Sequence, residues 1–100
     1  MLHTVNKSPY ERNNLRTCLR LAKEGSTILL IEDAVYAAVK ETAVEDTMTE
    51  ATKQHRVCVL GPDLKARGLG EARLIENINV VDYAGFVDLA VEHDRVQSWL

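Results

Sequence analysis

The chain predicts an α/β fold: a three-layer α/β/α sandwich on a mainly parallel sheet of about five strands. Three observations carry this expectation. Short β-capable runs recur along the chain with helix-forming segments between them, the alternation that gives parallel strands joined by right-handed crossovers. The run from Ser26 to Ile31 is continuous rather than alternating, as in a strand covered on both faces. Helix-starting residues follow the strands directly, as Ser8-Pro9, Glu32-Asp33 and Asp82.

Leu2 to Val5 reads as the first strand. Ser8-Pro9-Tyr10-Glu11 fits a capping box, with Ser8 as N-cap, Pro9 at N1 and Glu11 at N3. It predicts a helix running to Lys23 or Glu24, with Gly25 as its stop. At helical spacing Leu15, Cys18, Leu19 and Ala22 share one face, and Arg12, Arg16, Arg20 and Lys23 form a neighbouring stripe. Glu32-Asp33 then cap a short helix through Val39. Residues 41–54, acidic at first, are expected to be helical, with mobility near Thr42. Arg56 to Leu60 is the third strand and Gly61-Pro62 its turn. Asp63 to Arg67 makes one or two helical turns closed by Gly68, and Leu74-Ile75 a very short extended piece. Asn79 to Val81 is a fourth strand, Asp82 caps a helix through Val91, and Val96 to Leu100 closes the sheet or docks against it.

One hundred residues make a single domain, 1–100, near the commonest domain size. Only five residues in a hundred are aromatic, so Leu, Val, Ala and Ile must supply the core. The formal charge of −3 argues against a dedicated nucleic-acid binder. The longest apolar stretch is too short to cross a bilayer, and the N-terminus lacks the features of a signal peptide. A cytoplasmic protein without membrane contact is expected. Cys18 and Cys58 stand forty positions apart, outside any CxxC or metal spacing, and are read as free thiols of a reducing compartment. His3, His55 and His93 are isolated, so no metal site is assigned. No glycine-rich phosphate loop is present, and no cofactor is expected.

Five groups of residues, in order, carry a likeness to a known family. They are Leu2-His3-Thr4-Val5; Ser8-Pro9; Leu29-Leu30-Ile31-Glu32-Asp33 with Val35-Tyr36-Ala37-Ala38; Val59-Leu60-Gly61-Pro62-Asp63-Leu64-Lys65-Ala66-Arg67-Gly68; and Val81-Asp82-Tyr83 with Phe86-Val87 and the terminal Trp99-Leu100. Together they resemble the DsrH/TusB family. The resemblance implies a small subunit of a cytoplasmic sulfur-relay heterohexamer, holding two copies each of three related subunits. It also implies sister subunits and a small sulfur-carrier protein as partners, with the main persulfide cysteine on a sister subunit. One branch ends in 2-thiouridine at the tRNA wobble position, the other in sulfur oxidation. Cys18 in the first helix resembles the sulfur-oxidation branch. Ala34 stands where many relatives have Gly, which argues against a positive-φ residue at that turn.

Cys18 is the residue with a conceivable chemistry, as a persulfide acceptor. Such a thiol must be reachable and ionisable, whereas a mid-helix cysteine beside Leu15 and Ala22 is more often packed; packing is the favoured reading. Cys58, inside an apolar strand, is core. Ligands of open parallel sheets gather at the strand carboxyl ends, which here carry residues 6–8, Glu32, Asp33, Asp63 and Asp82. Ser8, Asp33 and Asp82 are better explained as helix caps. The arginine stripe reads as a solvated helix face, and direct nucleic-acid binding is not expected. Val35, Tyr36, Phe86, Trp99 and Leu100 are the interface candidates, as bulky apolar residues suited to anchor a partner.

Overall fold

The computed structural model describes residues 1–100. Its strands are β1 (Leu2–Val5), β2 (Thr27–Leu30), β3 (Arg56–Leu60), β4 (Asn79–Val81) and β5 (Val96–Trp99). Every strand pairing is parallel, in the order β4-β3-β2-β1-β5. The helices are α1 (Asn14–Leu21), α2 (Glu45–Gln54), α3 (Gly61–Ala66) and α4 (Tyr83–Glu92), with 3₁₀ turns over Glu32–Ala38 and Glu71–Arg73. No helix is long and apolar enough to cross a membrane.

Side chains alternate between the two faces of a strand, and the sheet uses its faces unequally. Val5, Ile28, Leu30, Val57 and Val59 meet Leu15 and Cys18 of α1, Met48 and Ala51 of α2, Leu64 of α3 and the alanines of the 32–38 turn in one large core. The opposite face has a core of four residues, Leu2, Leu29, Cys58 and Leu89, flanked by Phe86 and Ala90. Only α4 covers it. Crossover handedness explains the imbalance. The chain steps from β1 to β2 to β3 to β4 in one direction, so right-handed connections lay those helices on one face. The last connection returns across the sheet to pair β5 with β1, and the same handedness sends α4 to the other face.

Several expectations need correcting at element ends. The first helix does not start at Ser8. The Ser8 hydroxyl accepts the Tyr10 N–H at 3.2 Å, and the Ser8 carbonyl accepts from Glu11 and Arg12 at 3.2 Å each. The hydroxyl bonds two residues on instead of three, making a local turn that competes with a helical start. α1 begins at Asn14 and ends at Leu21, short of Lys23. Gly25 does not stop the helix directly; at φ +86° it turns the chain into β2 and donates its N–H to the Gln54 carbonyl at 2.8 Å. Of residues 41–54, only 45–54 form α2; residues 41–44 stay outside it, with Glu41 at φ +65°. Leu74 makes a single antiparallel bridge with Val39. Gly61 opens α3 against β4, where an added Cβ would stand 3.0 Å from Val80 Cγ1; any larger residue would have to push the Val80 side chain aside by a few tenths of an ångström.

Leu89 is the one fully buried side chain that α4 gives to the smaller core. Leu89→Ala is expected to cost about 2–4 kcal/mol, whereas Val87→Ala on the exposed side of α4 should stay within about 0.5 kcal/mol. Urea unfolding of both variants checks this, and equal losses would contradict the one-sided packing of α4.

Candidate functional site

The carboxyl ends of β2 and β3 bring charged residues together, but they spend their bonding on one another. Glu32, first after β2, is held at φ +49°, a left-handed conformation costing a non-glycine residue about 1–2 kcal/mol. Its N–H donates to Asp63 Oδ2 at 2.6 Å. The Arg67 Nε and Nη2 both reach Asp33 Oδ1 at 2.9 Å, and Arg67 Nη1 donates to the Asp63 carbonyl at 3.5 Å. This clasp joins the 32–38 turn to α3. Asp33 is thus an ion-pair partner and not a helix cap, and Ser8 is not a cap either. Asp82 is one: its Oδ1 accepts the Gly85 N–H at 2.7 Å. The turn does use a positive-φ residue, at Glu32 rather than Ala34, so the inference from the missing glycine is corrected. No three His, Cys, Asp or Glu side chains converge as metal ligands would.

Cys18 is fully buried in the large core beside Leu15. Burial pushes its thiol up to about 12, because no cation compensates the cost of a thiolate there. Arg16 and Arg20 are exposed on the other side of α1, and Arg12 is exposed in the turn before it. Cys58 is buried in the smaller core, and burial likewise raises its thiol. Neither cysteine is in a disulfide.

The interface candidates separate. Val35 is fully buried within the chain's own core, which removes it from any surface. Tyr36 is half-buried, and Phe86 packs beside Leu89. Trp99 is half-buried against the large core and donates its indole N–H to His3 Nδ1 at 3.1 Å, with the rings tilted 36° and their centroids 6.2 Å apart. Leu100 stands 82% exposed. Sequence reasoning missed the larger feature. Tyr83, Val87 and Val91, exposed by 61%, 60% and 81%, form an apolar stripe along the outer side of α4. The signal was available: residues 83–92 are apolar nearly all round, a pattern of helices that are covered on every side.

The profile of the family described as "DsrH like protein" matches residues 7–96. Protein TusB of Pectobacterium parmentieri is 36% identical over 99 residues, covering 99% of this chain and all of that protein. Protein TusB of Escherichia coli O1:K1 is 37% identical over the same extent. The crystal structure of the ychN protein from E. coli superposes with a TM-score of 0.85 at 20% identity, covering 97% of each chain. A protein of unknown function from Methanobacterium thermoautotrophicum, MTH1491, gives 0.72 at 16% over 97% of this chain and 95% of the other. The fold is therefore that of a known class of small α/β proteins. The chain belongs to the DsrH/TusB family.

Two outcomes follow from the buried groups. At pH 8 a thiol at about 12 carries on the order of a thousandfold less thiolate than a free cysteine. Cys18 should therefore resist a disulfide reagent in the native chain and react at once in urea; prompt labelling of the native chain would contradict this. Burial also lowers His3 and His55 below the ordinary histidine value, with Glu24 partly opposing the shift at His55. The unfolded chain then binds the extra protons. Stability should be full above about pH 6.5 and fall as pH drops through that value toward the folded-state pKa values. His3→Gln keeps an acceptor for the Trp99 indole and should flatten part of that slope. An unchanged slope in urea titrations would uncouple His3 from folding.

Proposed function

We propose that this chain is a subunit of a cytoplasmic sulfur-relay heterohexamer and works by assembly and docking, while a sister subunit carries the persulfide. Family membership over residues 7–96 and full-length likeness to TusB proteins support the relay. The observation that carries the division of labour is the contrast between Cys18, sealed in the core, and α4, whose outer stripe is open. Stable subunit contacts bury about 800 Å² per partner around apolar anchors. Tyr83, Val87 and Val91 supply such anchors, and Tyr36, Phe86, Trp99 and Leu100 are the further residues proposed to meet sister subunits. The small sulfur-carrier protein is the transient partner; direct nucleic-acid contact, a cofactor and a membrane have no part in this reading.

Likeness to TusB proteins supports an end point in tRNA wobble-uridine thiolation. A second reading, dissimilatory sulfur oxidation, rests on Cys18 in the first helix. It allows Cys18 to accept sulfur by attack of its thiolate on the outer sulfur of a donor persulfide, breaking the donor S–S bond and releasing the donor thiolate, which requires the core to open around α1.

Co-expression with the sister subunits, a persulfide donor and intact-mass analysis of each chain test both readings. Added sulfur is expected on a sister subunit alone. Sulfur on this chain that is lost in Cys18→Ala would make it an active sulfurtransferase subunit. Val87→Asp with Val91→Asp should leave the isolated chain folded and abolish co-purification. Failure of the unmodified chain to join any complex would defeat the relay reading.

A further inference from the structure

A second site lies at the opposite end of the sheet, where the amino ends of β1, β2 and β5 meet. A cavity of about 470 Å³ opens there, with His3, Ser26, Lys23, Arg95 and Glu24 among its walls. Its volume is in the range of small-ligand sites.

The polar groups of this cavity are mostly donors without partners. His3 is 5% exposed, and its Nδ1 accepts the Trp99 indole N–H at 3.1 Å. A neutral ring whose Nδ1 accepts must carry its proton on Nε2, and Nε2 has no hydrogen-bond partner in the chain. Burial, which lowers the His3 pKa, keeps that neutral donor form present at neutral pH. Ser26 is 4% exposed and its hydroxyl makes no side-chain hydrogen bond. Lys23 and Arg95 are exposed at the rim, and neither joins any of the four ion pairs of the chain. Glu24 is the one carboxylate on the wall, and its charge also acts on His55. Among the lining side chains the balance is two cations against one anion, and the N-terminal ammonium of Met1, also on the wall, adds positive charge felt by His3, in a chain whose net charge is −3.

The N–H and O–H of two buried residues, each still reachable from the cavity, with an ammonium and a guanidinium at its rim, suit a ligand that only accepts and bears negative charge. Arginine in particular matches oxyanions with two parallel N–H bonds. We propose that this cavity binds a small dianionic oxyanion of the phosphate or sulfate type, free or as the end group of a small metabolite. The site is separate from the outer face of α4, and the proposal stands whether or not the subunit reading holds.

Trp99 is the only tryptophan and is bonded to the other nitrogen of His3, so its fluorescence reports on the site. The isolated chain is titrated at pH 7.5 with inorganic phosphate, with sulfate and with a sugar phosphate, against sodium chloride at matched ionic strength. Calorimetry provides a second readout. A saturable response to the oxyanions is expected, weakened about tenfold by Arg95→Ala and by Lys23→Ala, the loss of roughly one charge-assisted hydrogen bond. Both replaced side chains are exposed, so thermal melts should show the variants folded. Tighter binding of the sugar phosphate identifies an end group as the ligand, and equal binding identifies the free ion. A response no greater than that to chloride, or one that both variants retain in full, overturns the proposal.

Discussion

Crossover handedness is the constraint on which the rest of this structure depends. Three consecutive connections step the same way along the sheet and stack their helices on one face. The fourth must step back and leaves α4 alone on the other. A ten-residue helix cannot shield a five-stranded sheet, so the smaller core is thin and the outer side of α4 stays apolar and open. The division between a sealed interior and an exposed apolar helix follows from topology before any particular side chain is considered.

The same constraint decides the fate of the two thiols. Cys18 sits on the inward side of α1 because Leu15 shares its face, and the large core closes over both. Cys58 alternates with Val57 and Val59 along β3, and so falls on the thin side beneath Leu89. A sulfur relay needs a thiolate in reach of a partner, and this fold places neither cysteine there. What it leaves at the surface is hydrocarbon and charge.

Much of this was legible in the sequence, for physical reasons that differ by element. The continuous run from Ser26 to Ile31 marks β2 because a doubly covered strand has no polar face to alternate. Asp82 marks the start of α4 because its carboxylate has an unpaired amide, that of Gly85, within reach. The capping box at Ser8 failed because a serine hydroxyl has two local amides to choose from, and spacing alone does not say which wins. Asp33 failed as a cap because Arg67, distant in sequence, competed for its carboxylate. Val35 failed as an interface residue because the 32–38 turn packs its apolar side chains, Val35 with Ala34, Ala37 and Ala38, into the chain's own large core. The donors around His3 were not legible: they come from β1, from the loop ahead of β2 and from the approach to β5, and only the assembled sheet brings them together.

The pairing of β5 with β1 also sets an order of events during synthesis. β1 is made first, yet its outer edge finds its partner only when residues 96–99 exist, matched as Leu2 to Val96 and Val5 to Trp99. At translation rates of 5–20 residues per second, that edge waits on the order of 5–20 s. Throughout that interval the nascent chain displays an unpaired strand edge, the surface most prone to join the wrong strand. The last four-residue strand therefore covers the edge of buried β1 and passes the open edge of the sheet to β5, which is short and more polar.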